Sequence, residues 1–144
     1  MSEQWHTEEN VQNAFVDALV ERGWRILSAK TLRESGVDVI ADLDGQKLGA
    51  EVKGYPTIGY ADPRRTGEKK KAKPREQAGN WYAKAILAAM KLRGAEPDWV
   101  SIIVLPKVAR YVELYGQTKG SLDAAEIEVW WIERNGDLVK ESAI

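Results

Sequence analysis

Asp38 and the Glu51-x-Lys53 triplet are the residues of this chain whose types and spacing best suit chemistry. Asp38 lies within Gly36-Val37-Asp38-Val39-Ile40, and the triplet within Ala50-Glu51-Val52-Lys53-Gly54-Tyr55-Pro56. Both runs read as strands, and the turn between them carries Asp44-Gly45, a hairpin signal. Side chains alternate between the faces of a strand, so Glu51 and Lys53 share one face while Ala50 and Val52 take the other. Asp38 points away from the face used by Val37 and Val39. The hairpin therefore offers two carboxylates and a lysine on one face, backed by an apolar one. Adjacent carboxylates repel, and such a pair is tolerated where a hard divalent cation bridges it. A lysine beside that cation can orient water or stabilise a developing negative charge. The plainer alternative makes Glu51 and Lys53 solvent-facing charges on a half-exposed strand and Asp38 a carboxylate near a turn.

The elements that would position these groups follow from periodicity. Thr7 to Arg22 reads as an amphipathic helix, with Thr7 as N-cap and Asn10 three residues on in place of the usual Glu or Gln. Val11, Ala14, Phe15, Ala18 and Leu19 supply its apolar stripe. At about 100° per residue, Glu8 falls about 20° from Phe15 and Glu9 about 120° away, so Glu8 projects from the core-facing side. An unpartnered carboxylate there is costly. Glu8 is either a first-turn acid stabilised by the helix dipole or a group that reaches the hairpin site. Gly23 ends this helix, and Trp24 to Ala29 reads as a strand. After the hairpin, at about 37–55, a polar and basic loop runs to Pro74, which suits the first turn of a helix. Arg75 to Arg93 is helical and is expected to stop at Gly94 and Pro97. There Gln77 begins a stripe continued by Trp81, Ala85, Ala88 and Leu92, and a glutamine on such a stripe needs hydrogen-bond partners. Trp99 to Leu105 reads as a strand buried on both faces. A helix over Lys107 to about Gln117, a second short piece near Ser121–Ala125, a strand over Ile127–Glu133, Asn135-Gly136 and a short 137–140 extension complete the chain. The order α-β-β-β-α-β-α-β predicts a mixed central sheet with helices packed on it.

With 144 residues, 44% apolar and 30% charged, the chain suits one domain spanning 1–144. No apolar run is long enough to cross a bilayer and the polar N-terminus lacks the signal-peptide pattern, so the expectation is a cytoplasmic protein without a membrane partner. The absence of cysteine excludes disulfides and cysteine-ligated zinc. A single histidine, His6, leaves little for polyhistidine zinc sites or a Ser-His-Asp triad. Any metal should be held by oxygen, which favours Mg²⁺ or Mn²⁺. The net charge is −1, but residues 54–76 gather Arg64, Arg65, Lys69, Lys70, Lys71, Lys73 and Arg75 against Asp62, Glu68 and Glu76. That local balance of +4 leaves −5 for the rest of the chain. A charge run is ordinarily a solvated loop; emerging beside a metal site, it becomes a clamp for a nucleic-acid backbone. Trp130 and Trp131 must face opposite sides of their strand, so helices, a partner chain or nucleic acid must cover both faces.

Asp38, Glu51-x-Lys53, Glu8 after Thr7, and Gln77 occur in the order seen in the PD-(D/E)XK nuclease superfamily, which the chain resembles over roughly residues 7–105. Gln77-Ala78-Gly79-Asn80-Trp81 looks like the glutamine-then-aromatic helix motif of the RecB-like and Cas4-like branches, though those carry tyrosine where this chain has Trp81. Val37 stands where the signature name has proline, which removes no ligand. The chain looks most similar to small Mrr-like and Holliday-junction-resolvase-like nucleases. The resemblance implies a restriction-endonuclease-like core and metal-dependent phosphodiester hydrolysis. Asp38, Glu51 and the Val52 carbonyl would bind Mg²⁺ or Mn²⁺, with Glu8 supporting the metal or its water. Lys53 would position the attacking water, and Gln77 would orient Lys53 or a phosphate. The expected partner is DNA, with RNA as a second candidate and a second copy of the chain as a further one. The alternative is a non-catalytic nucleic-acid-binding or protein-interaction domain of the same fold.

Overall fold

A computed structural model describes residues 4–31, 35–56 and 73–140. Along the chain run α1 (Glu8–Glu21), β1 (Arg25–Ala29), β2 (Val39–Leu43), β3 (Gln46–Val52), α2 (Pro74–Ala95), β4 (Val100–Pro106), α3 (Ala109–Ala124), β5 (Ile127–Ile132) and β6 (Leu138–Lys140). The strands form one six-stranded mixed sheet whose spatial order follows the sequence, β1-β2-β3-β4-β5-β6. β1–β2, β2–β3 and β5–β6 pair antiparallel, whereas β3–β4 and β4–β5 pair parallel because α2 and α3 carry the chain back between them.

The alternation read along the hairpin is the alternation that divides the core. Leu48, Ala50 and Val52 of β3 join Ile102, Val104, Trp130 and Ile132 under α1, where Val11, Phe15, Ala18 and Leu19 are buried. The other face buries Ile103, Leu105, Val129 and Trp131 against Ala78, Tyr82, Ala85 and Ala89 of α2 and Tyr111, Tyr115 and Leu122 of α3. Helices cover both members of the tryptophan pair: Trp130 packs edge-on against Phe15, and Trp131 against Tyr115. Leu43 and Gln46 pair across Asp44-Gly45, and both turn residues have positive φ, the geometry that favours glycine in a two-residue hairpin.

Three features depart from the pattern in the sequence. The last long helix is one continuous element, not two pieces. Tyr111, Tyr115 and Leu122 are buried along it, and this packing outweighs the low helix propensity of Gly116 and Gly120. Gly94 lies inside α2, which ends at Ala95, before Pro97. The buried face of α2 is centred on Ala78, Tyr82, Ala85 and Ala89, one residue on from the stripe begun by Gln77, and Trp81 is only half-buried. No helix among the described residues is long and apolar enough to cross a membrane.

Candidate active site

The polar cluster forms where the β2–β3 ladder stops. Val39 pairs with Ala50, and the next rung would set Val52 against residue 37. The Asp38 side chain takes that place, its Oδ2 accepting the Val52 N–H at 2.8 Å. In an antiparallel ladder the N–H and C=O of one residue face the same neighbour, so the Val52 carbonyl is turned to the same side as Asp38. The Lys53 N–H donates to the Val104 carbonyl at 3.1 Å, extending the parallel pairing with β4 one residue beyond β3. That step keeps Lys53 on the face of Glu51. Lys53 Nζ is 3.6 Å from Glu51 Oε1, and the two side chains are 20% and 19% exposed.

Glu8 arrives from the opposite layer. The chain leaving Lys53 crosses the start of α1 so closely that a Cβ on Gly54 would lie 2.3 Å from the Glu8 nitrogen and 2.8 Å from the His6 oxygen. Only glycine fits there. The Tyr55 N–H then donates to the His6 carbonyl at 2.8 Å, and Thr7 Oγ1 accepts the Asn10 N–H at 3.2 Å, which leaves Glu8 as the first helical residue.

Proximity and burial perturb all three carboxyls. Burial raises Glu8, partly countered by Lys53, with the Asp38 charge adding to the rise. Burial also raises Asp38, against the Val52 N–H, Lys53 and a hydrogen bond with Glu51, which hold it down. Glu51 moves furthest: burial first, then the Asp38 charge, push it up to about 7 despite Lys53. Near neutral pH the cluster therefore shares a proton centred on Glu51. Among the described residues no three His, Asp or Glu side chains converge closely enough to ligate one ion together. Asp38, Glu51 and the Val52 carbonyl nevertheless form an all-oxygen set that fits Mg²⁺, which takes one or two carboxylates and keeps several waters. Glu51 also lines a groove of about 480 Å³ between α2 and the sheet, bordered by Gly36, Val37, Ala88 and Leu92. A larger cavity of about 830 Å³, between α1 and β1, contains none of these residues.

No family model matches this chain, and no curated protein matches it either. Two crystal structures do. One, an XisH family protein from Nostoc punctiforme, is 16% identical, with a TM-score of 0.54 over 92% of this chain and 96% of that one. The other, an fdxN element excision controlling factor protein from Anabaena variabilis, is 18% identical, with a TM-score of 0.51 over 94% and 95%. The likeness is one of fold.

Glu8, Asp38, Glu51 and Lys53 are thus brought together from three elements. Gln77 is not joined to them by a hydrogen bond; its Oε1 is buried with no partner among the described residues. Lys73 is the exposed N-cap of α2, and Arg75 is paired with Glu113 at 2.8 Å. Arg64, Arg65, Lys69, Lys70 and Lys71 lie outside the described residues. Tyr111 carries no mark in the sequence, yet its buried hydroxyl donates to the Gly54 carbonyl at 2.7 Å, one residue past Lys53. Its ring meets Tyr55 edge-on with centroids 5.5 Å apart, and burial raises its hydroxyl well above the usual range. Only the hydrogen bond across 57 residues reveals it; no local motif does.

Proposed function

We propose that this chain is a metal-dependent nuclease of the PD-(D/E)XK type that hydrolyses phosphodiester bonds in DNA. The observation that carries the reading is the Asp38 carboxylate on the Val52 N–H, which sets Asp38, Glu51 and the Val52 carbonyl beside Lys53. The excision named for one structural neighbour accords with DNA as the substrate.

Asp38, Glu51 and the Val52 carbonyl would hold Mg²⁺ or Mn²⁺, which acidifies water and neutralises charge on the phosphate. Lys53 would position the attacking water and offset charge on the phosphate, its backbone held by the Lys53–Val104 bond. Glu51 and Asp38 must both be ionised to work together, so the proton held near Glu51 leaves as the site becomes competent. Glu8, within electrostatic reach of Lys53 and Asp38, would receive a proton or orient water from the α1 side. Tyr111 and Gly54 keep the chain after Lys53 from drifting.

The test is cleavage of single-stranded, duplex and branched DNA with Mg²⁺ or Mn²⁺ by the wild type and by Asp38→Ala, Glu51→Ala and Lys53→Ala. Each variant should lose activity while staying folded. Near wild-type cleavage by Asp38→Ala would overturn the mechanism; binding without cleavage by the wild type would favour the non-catalytic reading.

A further inference from the structure

The first turns of α2 and α3 carry a second charged cluster that the carboxylate site does not use. Arg75 donates to Glu113 Oε1 at 2.8 Å, and Arg110 donates to the same oxygen. One carboxylate thus answers two guanidiniums, and the group keeps a net positive charge. The Arg110 side chain is only 20% exposed, and its Nε is buried without a partner among the described residues; Arg75 is 62% exposed. Neither helix start is closed by a side chain: the N-caps, Lys73 and Val108, make no capping bond, and α3 has no acid in its first turn. Two guanidiniums therefore share the Glu113 carboxylate beside two helix starts whose N-caps make no side-chain bond, with Glu76 the acid in the first turn of α2. Exposed Lys73 and Lys107 add charge at the two helix starts.

The cluster also has a defined place. Arg110 precedes Tyr111, whose hydroxyl bonds the Gly54 carbonyl beside Lys53. The fork therefore lies at the end of the sheet where β3 and β4 finish and α2 and α3 begin, the end that carries the candidate active site. Guanidinium geometry matches carboxylate and phosphate alike, and the exposed Arg75–Glu113 pair is weakly held, so a polyanion can compete with Glu113.

We propose that Arg75 and Arg110 form a binding site for a backbone phosphate of DNA, with Glu113 occupying the phosphate's place until the strand arrives. The identity of the polyanion rests on the nuclease reading, but the site can be tested without cleavage. Binding of duplex and single-stranded DNA is measured in EDTA over a range of NaCl concentrations. Arg75→Gln combined with Arg110→Gln should weaken binding at least about tenfold at low salt. It should also lower the slope of log affinity against log salt, by about 0.9 on duplex and about 0.7 on single strands for each phosphate no longer neutralised. Arg75→Gln alone, on an exposed side chain, should show part of the slope change even if the Arg110 variant folds poorly. Glu113→Gln should tighten binding, since the competing carboxylate is gone. A wild-type slope in both arginine variants, or weaker binding by Glu113→Gln, overturns the fork. A chain that cleaves DNA yet shows that unchanged slope loses the fork alone; a chain that binds through the fork but never cleaves loses only the nuclease reading.

Discussion

At one end of β3 and β4 stand Glu8, Asp38, Glu51 and Lys53; at the other, Arg93 of α2 reaches the carbonyls of Glu126, Glu96, Pro97 and Trp99. Both ends place charge against the sheet, and they treat it differently. Arg93 finds neutral acceptors, with distances of 3.1, 3.2 and 2.6 Å to Glu126, Glu96 and Pro97, and ties the starts of β4 and β5 to α2. Burial raises all three carboxylates at the opposite end, neighbouring carboxylate charge raises Glu8 and Glu51 further, and Lys53 offsets only part of that. Polar groups that satisfy one another hold a fold together, whereas polar groups left in mutual tension mark where a ligand or reaction supplies the missing charge.

Exchanging the roles of the two ends should break that contrast most sharply. Lys53→Ala should lower the cleavage rate by about a hundredfold or more, with a smaller fall in melting temperature than Arg93→Ala gives. Arg93→Ala should leave the chemistry of folded molecules intact but cost about 2–3 kcal/mol, since several carbonyls lose a charged donor. For a chain of this size that lowers the melting temperature by on the order of 5–10 °C, readable in a thermal melt.

A divalent ion should relieve the tension at the carboxylate end alone. Mg²⁺, Mn²⁺ or Ca²⁺ at ten times its Kd should stabilise the wild type by about 1.4 kcal/mol relative to EDTA, a shift of a few degrees. Asp38→Ala should abolish the shift, whereas Arg93→Ala should keep it from a lower baseline. Equal shifts in wild type and Asp38→Ala would place the ions elsewhere.

The smallest effect is the dependence on pH. Glu51 titrates near 7 in the folded protein against an ordinary 4.5, so the folded state binds the extra proton. The stability linked to that proton is complete below about pH 4.5, falls as pH rises towards 7 and is gone above it. After solvent screening the loss is on the order of 1 kcal/mol. Glu51→Gln should flatten that part of the curve in EDTA, and the apparent affinity for Mg²⁺ should rise over the same interval in the wild type.

Much of this was legible in the residues. The period of two across 48–53 separates the core face from the polar face without any knowledge of the partner strands, and the Phe15 stripe of α1 brings Glu8 inward for the same reason. The paired tryptophans required two covered faces, and α1 and the α2/α3 layer cover them. What failed to show was what distance supplies. The two helical pieces read over 107–117 and 121–125 are one helix, joined by the packing of Tyr111, Tyr115 and Leu122. The packed face of α2 carries Tyr82 and leaves Trp81 half-buried, which periodicity alone does not decide. Tyr111 and Arg110 owe their places to Gly54 and Glu113, and no spacing within the chain signals either pairing.

The crossing at Gly54 has a consequence for the order in which the protein assembles. Asp38 and Val52 are only 14 residues apart and meet as soon as the hairpin closes, an inexpensive local loop. Glu8 joins only when the start of α1 docks on the glycine at 54, across a separation about three times as long. The acidic pair is thus set by a local closure, and the third carboxylate depends on a longer-range one.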